Sequence, residues 1–209
     1  MGLGINTHFL ADMLANDAEG AEWIQRSVGL VNELLAERGL PQHAEPTQIT
    51  TRMRPHCGSF PYSFLHYLRR AFARVHEDLE LTPVAGDDDP TEDPAIETAT
   101  TLFDTHLLCH SDAEGYYVPV DFDEVIFDNA KRGLPGGMLG STPRLMAELV
   151  QTAPALGITL ERGTLSDAEV DAINRDSDTG AYWRERLVWL TLFEAARVSL
   201  ADKTMIVFT

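Results

Sequence analysis

The sequence predicts an α+β fold: a helix-rich single domain around a small β-sheet. Apolar residues recur at helical spacing over several long windows. Two strand-like runs, about 101–110 and 115–120, sit mid-chain as an apparent hairpin, and the chain ends in an apolar run at about 205–209. More helix than strand, with the strands grouped, is the α+β signature. A chain of 209 residues with 44% hydrophobic composition buries a core without disulfide staples.

The first helix is expected over 17–38, where Ile24, Val28, Val31 and Leu35 form a stripe and Gly39-Leu-Pro41 ends it. Residues 42–58 read as loop. A second helix is expected from about Ser59, with Pro61 in its first turn and Phe64, Leu68, Phe72, Val75 and Leu79 as its apolar face. Residues 80–97 hold three prolines and a carboxylate cluster, the composition of an acidic mobile loop or internal linker. The hairpin follows, its strands joined by Ser111-Asp-Ala-Glu-Gly115, and a short helix is expected from Asp121. Four glycines make 133–140 a loop. Ser141 caps a helix carrying Leu145, Met146, Leu149 and Val150, and Ser166-Asp-Ala-Glu169 is a capping box. The last helix is expected over 179–200, and the terminal run as a buried strand.

Charge and composition narrow the function classes. The net charge of −17 opposes nucleic-acid and anionic-membrane surfaces and favours a basic protein partner. No apolar run approaches the roughly 20 residues of a bilayer span. The N-terminus lacks a basic segment and a long apolar segment, so no secretory leader is expected, and Asn6 does not fit the myristoylation pattern at Gly2. Two cysteines do not make a disulfide framework, which fits a reducing cytoplasm. The oligomeric state is left open.

Three constellations could carry chemistry. In the hairpin, strand alternation would make His106 and His110 cofacial and separate them from Cys109. His110 then stands beside Asp112 and Glu114, and a carboxylate beside a histidine fixes its tautomer and raises its basicity. The structural alternative is a turn in which Gly115 takes a positive φ and the histidines fill polar gaps. Cys57 is placed just before the second helix, where the helix dipole would lower its pKa. With His106 or His110 it would form a Cys/His dyad. A zinc set of His56, Cys57, Cys109 and His110 can be drawn, but it lacks the usual spacers, and no cofactor is expected. The third constellation is an anion-binding face, Tyr62, His66, Arg70 and Arg74 at helical spacing. Its alternative is internal neutralisation: Glu77 to Glu97 carries nine carboxylates and no cation, and could fold back over the basic helix.

Cys57-Gly-Ser, with a histidine on a later strand, resembles papain-like and cell-wall-peptidase thiol hydrolases, which implies a thiol nucleophile. His110-Ser-Asp-Ala-Glu-Gly-Tyr116 resembles an element of small uncharacterised bacterial proteins, some classed as immunity proteins of toxin systems. That resemblance implies a cytoplasmic bacterial protein that binds another protein and supplies no catalytic residue. The expected function is therefore a non-enzymatic protein binder of immunity or inhibitor type. The alternatives are a Cys/His or metal-dependent hydrolase using the hairpin, and a small-anion sensor using the arginine face.

Overall fold

A computed structural model describes residues 2–86, 88–176 and 180–209. The sheet has six strands: β1 (Gly2–Thr7), β2 (Ser59–Pro61), β3 (Gly115–Val118), β4 (Ile126–Phe127), β5 (Met138–Ser141) and β6 (Ile206–Phe208). Their order is β2-β1-β6-β3-β5-β4. Every pairing is antiparallel except β3 with β5. Seven helices are described: α1 (Phe9–Asn16), α2 (Ala18–Glu37), α3 (Phe64–His76), α4 (Pro94–Thr100), α5 (Thr142–Thr152), α6 (Asp167–Arg175) and α7 (Trp183–Asp202). The α+β expectation holds.

Strand alternation sorts the core onto the two faces of the sheet. Ile5, Tyr117, Ile206 and Phe208 face α3, α5 and α7, with Leu68, Phe72, Leu145 and Trp189. Tyr116, Val118 and Val207 face α1 and α2, with Leu10, Ile24, Val31 and Leu35. α7 is buried nearly all round, from Val188 to Ser199, as a central helix must be. Trp189 Nε1–H donates to the Leu149 carbonyl at 2.7 Å and ties α7 to α5.

Local signals place several elements as expected. The Asp17 side chain accepts from the amides of Glu19 and Gly20 and opens α2. Ser141 caps α5 and Ser166 caps α6. For the last helix, the expected first residue, Thr179, lies outside the described residues.

Four expectations are corrected. The run 101–110 is no strand, so there is no hairpin: Leu102 and Phe103 are exposed, and Phe103 has φ 55°. Side chains take up the backbone groups that a ladder would have used. Glu148 accepts from the amides of His106 and Leu107, both at 2.6 Å, and Arg69 donates to the Leu107 and His110 carbonyls at 2.9 and 2.6 Å. β3 pairs instead with β6 and β5. Ser59–Pro61 is edge strand β2, not the first turn of a helix, because Phe60 pairs with Leu3 and drops into the core. No helix follows Asp121; the short strand β4 does. The glycine loop closes into β5, where Gly140 is required, since a Cβ there would lie 2.3 Å from the Tyr117 ring.

Candidate functional site

Charge is divided unevenly between interior and surface. Seven arginines, Arg54, Arg70, Arg74, Arg132, Arg144, Arg186 and Arg197, are consumed in ion pairs with the chain's own carboxylates. Arg69 is buried against carbonyls. Twenty of the described carboxylates are exposed, against seven exposed lysines and arginines. The exposed charge is therefore mostly negative, although Arg54, Arg132 and Arg144 each reach exposed carboxylates.

The densest exposed group is the acidic arm after α3. Asp78, Glu80, Asp88, Asp89, Glu92 and Glu97 are all exposed there; Asp87 lies outside the described residues. The arm is strapped down. The half-buried Asp93 sits between two arginines, with Arg70 Nε and Arg74 Nη1 both 2.9 Å from its Oδ2. Arg70 also donates to the Thr82 carbonyl at 2.7 Å and Arg74 to the Glu80 carbonyl at 2.8 Å. Tyr182 Oη–H donates to the Leu81 carbonyl at 2.9 Å. Burial works against ionising Asp93, but Arg74, the Ala95 amide and Arg70 outweigh it and its pKa falls. Asp89 accepts from the Thr91 amide and hydroxyl, which lowers its pKa and keeps an exposed charge in place. A cleft of about 640 Å³ separates the arm from α3. The segment that composition marks as a mobile loop or linker is thus tied to α3 and Tyr182 at Glu80, Leu81, Thr82 and Asp93. Ala95 and Ala99 beyond it share a core with Leu68 and Phe72, so it joins no second domain.

A second acidic row lies on α2. At 100° per residue, Glu19, Glu22, Glu33 and Glu37 fall on one side of the helix, away from buried Ile24, Val31 and Leu35. Arg132 reaches Glu33 and Glu37 and neutralises that end.

The expected anion face is the inside of this strap. Arg70 and Arg74 are committed to Asp93, so internal neutralisation describes them. Tyr62 and His66 turn the other way, toward Asp112: His66 Nε2 is 3.8 Å from Asp112 Oδ2, and Asp112 raises the Tyr62 pKa. Burial and Arg69 lower the His66 pKa against the pull of Asp112. The four residues do not form one cation-rich surface.

The expected catalytic residues are likewise spread among structural roles. Cys57 is 2% exposed and precedes β2, so no helix dipole acts on it. Burial, then Glu194, pushes its thiol up to about 11 against Arg54 and Arg197, which corrects the expected low pKa. His110 is stacked on Tyr117 at 4.1 Å and faces the Ser111 and Tyr116 carbonyls. Burial lowers its pKa to about 4, with Arg69 adding to the effect against those carbonyls. Its neighbour is Gly115, at φ 127°, where a Cβ would sit 3.0 Å from the imidazole. Asp112 turns to Tyr62 and His66, and Glu114 points to solvent. His106 is not cofacial with His110. Its Nδ1 accepts from the Ser141 amide and its Nε2–H donates to the Asp123 carbonyl. Among the described residues, no group of three or more His, Cys, Asp or Glu could hold a metal ion.

Sequence reasoning missed Glu148, Asp93 and Arg69, the polar side chains that hold the loops. Only the i, i+4 pair Arg70 and Arg74 followed by acids hinted at the strap.

No curated protein and no solved structure matches this chain. No helix among the described residues is long and apolar enough to cross a membrane. One family model matches residues 1–208, and its description is "Putative DNA-mimic protein". That match corrects the partner expected from charge alone, an unspecified basic protein with nucleic acid set aside. A DNA mimic is defined by the surface with which another protein holds DNA. By a match over residues 1–208 the chain belongs to the family of that description.

Proposed function

We propose that this protein acts without catalysis, in the cytoplasm, by occupying the DNA-binding site of a DNA-binding protein, its exposed carboxylates standing where phosphates would. Family membership is the observation that carries this reading. The distribution of charge supports it: exposed carboxylates outnumber exposed lysines and arginines, and Arg70 and Arg74 are paired with the chain's own Asp93. Duplex DNA presents a dense row of fixed negative charge, and most contacts that position a protein on it go to phosphates. A rim whose backbone is strapped by Arg70, Arg74 and Tyr182, and whose Asp89 is held by Thr91, offers acceptors with little ordering cost on binding. The immunity-type reading is the narrower case in which the DNA-binding partner is a toxin. Its support is the His110–Tyr116 resemblance.

The test begins with a native lysate loaded on duplex-DNA cellulose and eluted with this protein, or with polyglutamate of equal charge. Elution of a defined DNA-binding protein by the former at concentrations where the latter is inert is the expected result. Identical elution profiles would reduce the effect to bulk charge and remove the proposal. The identity of the eluted protein decides the immunity-type case.

A further inference from the structure

Arg184, in the first turn of α7, lies over three aromatic rings. Its guanidinium carbon is 4.7 Å from the Trp183 centroid, 4.9 Å from Tyr67 and 5.6 Å from Phe64. Phe64 meets Trp183 edge to face at 4.9 Å. All three rings are half-buried, so the box opens to solvent. The arginines that strap the loops are fixed by oxygen partners, whereas Arg184 has no hydrogen bond or ion pair among the described residues. Ring faces hold it, with buried Glu185 beside it; burial raises the Glu185 pKa, opposed by its own amide and Arg184. Such contacts at a partly open site are weak and exchangeable.

The box adjoins the acidic arm. Tyr67 lies on the face of α3 that carries Arg70 and Arg74, about 10 Å along the axis from Arg74. Tyr182, next to Trp183, is bonded to the arm through Leu81. One surface thus joins carboxylates to a three-ring cation site. An arginine from a DNA-binding site is suited to both, because its planar guanidinium forks onto carboxylates and stacks on aromatic rings, whereas a lysine ammonium is a hydrated point charge.

We infer that Phe64, Tyr67 and Trp183 form a guanidinium-receiving box, closed in the free protein by Arg184, into which an arginine of the bound DNA-binding protein is exchanged. The inference rests on the DNA-mimic reading for its partner, and on the rings for its chemistry. It is tested with labelled hexa-arginine and hexa-lysine peptides, by fluorescence anisotropy on the full chain. The expected arginine preference is about fivefold, of the order of one cation–π contact. Arg184→Ala empties the box and is expected to widen that ratio several-fold. The added negative charge strengthens both peptides alike, so the ratio isolates the rings. Tyr67→Ser, checked for an unchanged melting profile, is expected to narrow it. Equal affinities for the two peptides, or a ratio unmoved by Arg184→Ala, would overturn the inference. In that event elution from DNA cellulose still stands or falls on its own. Loss of elution with the arginine preference intact would instead remove the mimic and leave the box.

Discussion

Glu148 and His110 pull the pH dependence of stability in opposite directions. Burial pushes Glu148 up to about 8, against the amides of Leu107 and His106. The folded chain therefore keeps a proton that the unfolded chain releases near pH 4.5, and stability falls as pH rises from there to about 8. Burial holds His110 down to about 4, so the unfolded chain takes up that proton first as pH drops below 6.5. Acid then costs stability from 6.5 down to about 4. Between 6.5 and 8 Glu148 acts alone of the two. Urea midpoints are predicted to drop over that interval by the equivalent of about 2 kcal/mol. Glu148→Gln should flatten the slope. A wild-type midpoint that does not move would mean that Glu148 is ionised in the fold. Packing makes a second prediction at this scale. Gly140→Ala puts a methyl 2.3 Å from the Tyr117 ring, so a loss of about 3 kcal/mol in chemical denaturation is expected. A neutral result would show that β3 and β5 can separate to admit it.

Among the elements, the acidic arm makes the clearest demand. Asp93→Ala removes the carboxylate shared by Arg70 and Arg74 and leaves two cations half-neutralised near the core. A loss of about 3 kcal/mol is expected, together with faster amide exchange between Asp78 and Glu97. Exchange confined to the wild-type rate would mean that the Tyr182 and main-chain contacts hold the arm alone. The sequence disclosed elements whose signals are local. The stripe of α2, the caps Ser141 and Ser166 and the terminal strand were legible because neighbours in sequence specify them. What failed depended on distant side chains. Residues 101–110 read as a strand leading into a turn, but Glu148 and Arg69, far away in sequence, take up their backbone groups. β1 went unread because Gly2 and Gly4 carry no β-branched signal, and its strand character comes from pairing with Ser59–Pro61 and Ile206–Phe208. At the site, the contrast of basic α3 with the acidic run after it was visible. That the two meet through Asp93 was not, because composition does not say which carboxylate an arginine reaches.

For the whole molecule, a net charge of −17 is spread over 10146 Å² of surface. That density is far below the charge spacing of duplex DNA, whose condensed counterions give protein–DNA binding its steep salt dependence. The same partner should therefore bind this protein with a shallower slope of log Kd against log salt than it binds duplex. Equal slopes would mean that counterion release is the same from both and that surface carboxylates condense ions as phosphates do. The proposed function requires mutual exclusion: a DNA-binding protein eluted by this chain would hold either duplex or this chain, not both. Anisotropy of a short labelled duplex bound to that protein, titrated with this chain, measures it directly. Complete displacement is expected, with a midpoint that rises in proportion to the duplex concentration. A stable ternary complex, in which the duplex stays bound at saturating mimic, would contradict it.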